Sequence, residues 1–178
     1  MTSQRATCDF VFPRELDKSM KKFWSFILLL VGAAWAQSSN GYVFFAPGGV
    51  SCCGYTAMTL HFGVGGEAVL GKGVGIGAEV GALGTRESFA EAVEGVFSAN
   101  GYYHFVHGKR VKVDPFVTGG YTLLFRYGHL NLFNFGGGVN YWAGRRFGIR
   151  LEARDHVHAP EFGSALHYWG IRFGLAFR

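Results

Sequence analysis

The chain of 178 residues is rich in glycine (28) and phenylalanine (18) and poor in proline (4), a balance that favours many short strands and tight turns over long helices. Its net charge of +5 is modest, and the basic residues gather in the N-terminal segment and in short turns, which excludes the continuous basic footprint of a nucleic-acid-binding domain. The length holds one domain at most.

The N-terminal segment contains the only long apolar run. Lys21 and Lys22 precede Phe23 to Val31, and the run closes on Ala34-Trp35-Ala36 before Gln37, the order of basic region, apolar region and small-x-small cleavage site that marks a secretory signal peptide. A membrane-spanning helix needs about 20 apolar residues, more than this run offers. Residues 1–19 are polar and carry Asp9, Glu15 and Asp17, so they fit no leader. The expected organisation is a mis-assigned extension over 1–19 with Met20 as the start, a signal peptide over 20–36 and a single domain over 37–178. Cys8 then falls outside the protein, and no Cys stands at the cleavage site for lipid anchoring.

From Gln37 onward, apolar and small or polar residues alternate with period two. A first run, Tyr42 to Ala46, stops at Pro47-Gly48-Gly49, with its register open. A second sets Met58, Leu60, Phe62 and Val64 against Ala57, Thr59, His61 and Gly63. A third sets Val74, Ile76, Ala78 and Val80 against Gly75, Gly77, Glu79 and Gly81. An acidic stretch, Gly84 to Gly95, reads as a long loop before a fourth strand over Val96 to Val106. After a basic turn, the fifth (Pro115 to Phe125) sets Val117, Tyr121, Leu123 and Phe125 against Thr118, Gly120 and Thr122. The sixth (Phe133 to Trp142) opposes Phe135, Val139 and Tyr141 to Asn134, Gly136, Gly138 and Asn140. The seventh (Phe147 to Asp155) opposes Ile149, Leu151 and Ala153 to Arg150, Glu152 and Arg154. The eighth (Tyr168 to Arg178) carries Ile171, Phe173, Leu175 and Phe177 on one face and Gly170, Arg172, Gly174 and Ala176 on the other.

Spans of about 10 residues with an even count fit an all-β, eight-stranded antiparallel up-and-down transmembrane β-barrel preceded by a cleavable signal peptide. From the second strand onward the connections read as alternately short and long, as a periplasmic and an outer rim require. Alternation alone does not separate a membrane barrel from a soluble, lipocalin-like one; the difference is which face points inward. A soluble barrel needs many Lys, Glu and Asp on its polar face. Here that face is mostly Gly, Ala, Thr, Ser and Asn, and the Lys residues beyond Gln37, namely Lys72, Lys109 and Lys112, sit in turns. A narrow lumen and a lipid-facing exterior follow. Tyr102, Tyr103, Tyr127, Tyr141, Trp142, Tyr168 and Trp169 are the expected interfacial aromatics.

Four segments carry a resemblance to a known family: Pro115-Phe116-Val117-Thr118-Gly119-Gly120-Tyr121, Asn134-Phe135-Gly136-Gly137-Gly138-Val139, Gly148 to Arg154, and the aromatic last strand. In them, and in pattern over nearly all of 37–178, the chain resembles the small eight-stranded outer-membrane β-barrels of Gram-negative bacteria related to the OmpA transmembrane domain. The resemblance implies residence in the bacterial outer membrane, contact with outer-membrane lipids and recognition by the barrel assembly machinery, with Phe173, Leu175 and Phe177 as the assembly signal. It implies no cofactor and no catalytic residue, and leaves any ligand of the outer loops unnamed.

On the inward face, Glu79, Arg150, Glu152, Arg154 and Arg172 are the candidate site. Isolated charges there are costly and paired ones tolerable, so a structural ion cluster is favoured over a transport or proton path. The third and seventh strands of an eight-stranded barrel lie opposite each other, and the interior is only wide enough for side chains to meet. Glu79 is therefore expected to reach Arg150 or Arg154, with Glu152 and Arg172 completing a cluster that closes the lumen. His156, His158 and His167, with Asp155 and Glu161, cluster around the last long loop and are weak metal candidates, since no spacing there is diagnostic; a merely polar loop is the plainer reading. Cys52 and Cys53 are adjacent in an exported chain, and a strained vicinal bridge, intermolecular pairing and two thiols all remain open. Gly73, Gly75 and Gly77 lie within a strand and lead into no helix, so they make no phosphate cradle.

The function expected is that of a non-enzymatic barrel with a filled lumen and a structural or surface-interaction role. The alternatives are a small pore, an outer-membrane lipid-modifying enzyme, and a soluble periplasmic ligand binder. The lipid A deacylases, the nearest enzymatic model, use a His-x-Ser pair, and none of the 7 histidines here is followed two residues later by Ser.

Overall fold

The structure is a computed structural model and describes residues 38–52, 54–87, 89, 93–106, 111–126, 128–159 and 164–178. Period-two patterning over those residues becomes eight strands: β1 (Ser38–Cys52), β2 (Tyr55–Gly71), β3 (Val74–Thr85), β4 (Glu94–His104), β5 (Val113–Phe125), β6 (His129–Trp142), β7 (Phe147–His158) and β8 (Leu166–Phe177). Each pairs antiparallel with its sequence neighbour, and β1 pairs with β8 to close the barrel. Closure leaves no open edge, which a sheet crossing lipid requires.

Parity fixes which side chains meet lipid. Val64, Val80, Val117, Phe135, Ile149, Leu151, Ile171, Phe173 and Leu175 are exposed on the outside, while Thr59, His61, Ser98, Asn100, Thr118, Thr122, Asn134 and Asn140 are buried inside. A soluble barrel has the opposite arrangement, with an apolar interior and charges in water. The lipocalin-like alternative therefore fails on geometry.

Several boundaries differ from those read in the sequence, β1 most of all. It runs through Pro47-Gly48-Gly49 to Cys52, with Asn40, Tyr42, Phe44, Ala46 and Val50 buried inside, so its register is settled. Pro47 keeps its place in the ladder to β2, opposite Leu60, but neither Ala46 nor Pro47 has a partner on β8. A residue without an N–H is tolerated where the ladder is already interrupted. β2 likewise extends past Val64 through Gly65-Gly66 to Gly71, and β7 extends past Asp155 to His158.

Loop lengths alternate less strictly than expected. The rim carrying the start of β1 and the end of β8, here the terminal rim, holds the connections 72–73, 105–112 and 143–146; the opposite, loop rim holds 53–54, 86–93, 126–128 and 159–165. Thus two loop-rim connections are tight, and the basic connection 105–112 is the long one on the terminal rim. The β2–β3 turn places Lys72 at φ 51° and Gly73 at φ 83°. Positive φ at both central residues is the hairpin geometry whose twist matches the flanking strands.

The aromatic collar is also narrower than expected. Tyr103, Tyr141 and Trp169 face outward and are exposed, but Tyr102 and Trp142 point into the barrel and are buried. Tyr168 packs against an internal leucine layer. In a strand, adjacent aromatics must take opposite faces, so only one of Tyr102 and Tyr103, and one of Tyr141 and Trp142, can reach the membrane interface. Tyr127, Lys109, Cys53, Glu161, Cys8 and the whole of the extension and signal peptide, residues 1–36, lie outside the described residues.

Candidate functional site in the barrel lumen

The lumen is stratified. Near the terminal rim Trp142, Ala176, Tyr42, Phe44 and Ala46 form one buried apolar cluster. Toward the loop rim Leu83, Val96, Leu124 and Leu132 form another, with Leu130 and Tyr168 packed against it. The charges interleave with the first cluster: Tyr42 donates to Glu79, and the Arg172 Cζ lies 4.4 Å from the centroid of Phe44.

Glu79, projecting from β3, accepts hydrogen bonds from Arg154 Nη1 (2.8 Å), Arg172 Nη1 (3.0 Å), the Tyr42 hydroxyl (2.7 Å) and, at 3.4 Å, the Tyr102 hydroxyl. Glu152 is paired with Arg154 and accepts from Arg150 Nε at 3.0 Å, with Arg172 Nη1 at 3.8 Å. All five of these ionised side chains are at most 3% exposed. Burial at this level is tolerable only because each charge faces opposite charges and hydrogen-bond donors or acceptors. Glu79 thus meets Arg154 and Arg172. Arg150 turns the other way, toward Glu152 and Glu67.

Glu67 was not anticipated. Its carboxylate, on β2, lies 3.4 Å from Arg150 Nη1, accepts from the Asn40 amide at 3.1 Å, and stands 3.5 Å from His104 Nε2. The other nitrogen of His104, Nδ1, lies 3.0 Å from Asp114, which also accepts from the Asn140 amide at 3.3 Å. Among the described residues the buried interior therefore holds four carboxylates (Glu67, Glu79, Asp114, Glu152) and three guanidiniums (Arg150, Arg154, Arg172). Arg150 is also enclosed by rings, with its Cζ 4.0 Å from the centroid of Phe116, 4.3 Å from Tyr42 and 5.5 Å from Tyr102. Aromatic faces stabilise a desolvated guanidinium where water cannot.

Carrying the inward parity of Thr59 and His61 through Gly65-Gly66 would have found Glu67. Those glycines read instead as a strand end. Asp114 reads as the last residue of the basic turn before the fifth strand, and His104 lies in the fourth strand, whose inward face the sequence pattern does not assign; β5 starts at Val113 and puts Asp114 inside.

The three candidate metal histidines do not converge. His156 is buried in the lumen: Arg172 Nη2 lies 3.1 Å from its Nε2, and its Nδ1 lies 3.0 Å from Thr122 Oγ1. A guanidinium can only donate, so Nε2 accepts, Nδ1 carries the hydrogen, and both nitrogens are engaged. His158 Nδ1 donates to the Asn131 carbonyl at 2.8 Å, and His167 pairs with Asp155 at 2.8 Å. Among the described residues no set of three or more His, Cys, Asp or Glu side chains is placed to share a metal. Cys52 ends β1, with its Sγ 3.9 Å from the Ser164 carbonyl oxygen.

Above the ion network, Thr59, His61, Leu83, Arg154 and Tyr168 help to line a cavity of about 20 Å³. That is space for about one water molecule.

Comparison with known proteins bears on the fold alone. No family model and no curated protein matches the chain. Among solved structures, the N-terminal β-barrel domain of Pseudomonas aeruginosa OprF is 17% identical, with 79% of this chain and 97% of that one aligned at a TM-score of 0.57. Neisserial surface protein A is 10% identical, with coverage of 78% and 96% and a TM-score of 0.61. A de novo designed transmembrane β-barrel is 12% identical, with coverage of 78% and 93% and a TM-score of 0.50. The fold is that of the small bacterial outer-membrane β-barrels, and the apolar exterior with its charged interior suits a lipid surround.

Proposed function

We propose that this chain is a non-enzymatic outer-membrane barrel whose lumen is filled and closed by side chains, with a structural or surface-interaction role. The observation that carries this reading is the position of Glu79, held between Arg154 and Arg172 across the barrel. A solute would have to displace those pairs, and then the leucine layer above them. Separating those ions would leave buried charges without partners, a costly state, and this opposes spontaneous opening. Enclosure of Arg150 by three rings supports the same view. The outward row of Phe173, Leu175 and Phe177 is the segment offered to the assembly machinery, and the exposed apolar exterior is the surface offered to outer-membrane lipids.

Planar-bilayer recording on the purified, refolded chain tests closure. The expected record is a silent baseline at moderate voltage, interrupted at most by brief events. Steady, large conductance would make a small pore the leading reading.

A further inference from the structure

The two rims differ in charge. On the terminal rim, Lys72, Lys112, Arg145, Arg146 and Arg178 are all exposed, and among the described residues of its connections and strand ends no exposed acid accompanies them. The loop rim sets Arg86 and Arg126 against Glu87, Glu94 and Asp155.

Three of the five basic residues fall on one arc. The backbone N–H of Trp142 donates to the Lys112 carbonyl at 2.8 Å, joining the start of β5 to the β6–β7 turn that carries Arg145 and Arg146. The N–H of Arg178 donates to the Arg146 carbonyl at 3.0 Å, joining the end of β8 to the same turn. The Arg178 guanidinium stands over the Trp142 ring, 3.7 Å from its centroid. Lys72 lies apart, on the β2–β3 hairpin.

Just inside this arc, the outer wall carries exposed Val113, Tyr141, Phe147 and Phe177, and the last two pack edge-to-face with centroids 5.6 Å apart. Below them the wall continues through Ile149, Leu175 and Leu151. Cations at the rim, aromatics at the next level and aliphatics beyond reproduce, in order, the phosphate, glycerol-ester and acyl levels of a phospholipid.

We propose that the arc formed by Lys112, Arg145 and Arg146 is a headgroup site for anionic phospholipid in the leaflet that the terminal rim faces; the Arg178 guanidinium, turned inward over the Trp142 ring, is not part of it. Arg145 and Arg146 occupy a tight exposed turn, where their guanidinium forks can each take two oxygens of one phosphate. Tyr141 and Phe147 bracket the ester region, and the acyl chains lie along Ile149 and Leu175. The ligand is a membrane phospholipid rather than a free phosphate, because the cations surmount an apolar wall that only a lipid can cover.

The test uses the full chain reconstituted in phosphatidylcholine vesicles that carry spin-labelled phosphatidylglycerol or spin-labelled phosphatidylcholine. Electron spin resonance then gives the motionally restricted fraction of each label at the barrel surface. The expected preference for phosphatidylglycerol is about fivefold, the weight of a basic residue at an anionic surface. It should fall to near unity in Lys112→Gln/Arg145→Gln/Arg146→Gln and persist in Lys72→Gln. The heat-modifiable gel shift of each variant confirms that it is folded. Equal preference in the wild-type and triple-variant proteins overturns the site, and so does equal loss in Lys72→Gln, which would mean a diffuse field. Displacement of the label by millimolar glycerol phosphate would show that the arc takes soluble phosphate, and would also overturn the proposal. Conductance is not read here, so this result and that of the planar-bilayer test stand apart.

Discussion

Glu79 is the residue on which most of the interior depends, because it receives two guanidiniums and two phenols at once. Glu79→Leu should lower the stability of the folded barrel by about 3 to 5 kcal/mol, since it strands buried cations, whereas Glu87→Leu on the exposed loop rim should change it by no more than about 0.5 kcal/mol. Reversible urea unfolding in lipid vesicles reads both, and equal midpoints would show that the network contributes nothing to stability. Glycine matters at a second kind of position. A Cβ at Gly138 would run into the Leu151 carbonyl oxygen and lie 2.9 Å from both Glu152 Cα and Phe116 Cζ. Gly138→Val is therefore expected to reduce the yield of folded, heat-modifiable barrel severalfold; wild-type yield would show that β6 can move away from β7. At this scale the inward charges of β3, β7 and β8 were legible, because each sits in an unbroken alternation. Which cation meets which carboxylate was legible only in part: Arg154, one of the two partners expected for Glu79, meets it, but Arg150 turns to Glu152 and Glu67, because side-chain length and direction across a closed ring are encoded by no single strand.

The strand as a unit carries two surfaces with opposite demands, and β7 states this most plainly. Arg150, Glu152 and Arg154 are buried while Ile149 and Leu151 are exposed to lipid. A charge moved by one position crosses from a paired site into hydrocarbon. Leu151, opposite Val139 on β6 and Phe173 on β8, lies in mid-strand, so Leu151→Arg should cost about 2 to 4 kcal/mol. The same urea titration checks it; a loss below about 0.5 kcal/mol would mean that Leu151 does not face the bilayer core. Strand faces were legible in the sequence because a sheet's period is two and each face has its own solvent. Strand ends were less so. Pro47-Gly48-Gly49 and Gly65-Gly66 look like terminators locally, yet β1 and β2 pair with each other from Ser38 opposite Val69 to Cys52 opposite Tyr55, and that ladder outweighs weak local propensity. With β7 ending at Asp155, His156 reads as a loop residue; one more residue of the same alternation, two past Arg154, carries it into the lumen.

For the whole molecule, the reversed solvent pattern predicts that the folded protein partitions with outer membranes and needs detergent for extraction. Heat-modifiable migration on a detergent gel would accompany it. Recovery as a soluble monomer from the periplasm would contradict that placement. The interior charges also have a consequence for how the barrel can be made. Glu67 and Glu79 belong to β2 and β3, and Arg150, Arg154 and Arg172 to β7 and β8; the pairs joining the two groups are 75, 83 and 93 residues apart in the chain. An open sheet inserted strand by strand would expose two uncompensated carboxylates at one end and a surplus of cations at the other to hydrocarbon. Only the joining of β1 to β8 brings the two ends within reach and cancels that imbalance. Charge neutralisation and ring closure should then be a single event, so that the chain stays in contact with water, or with a protein that stands in for it, until its last strand arrives.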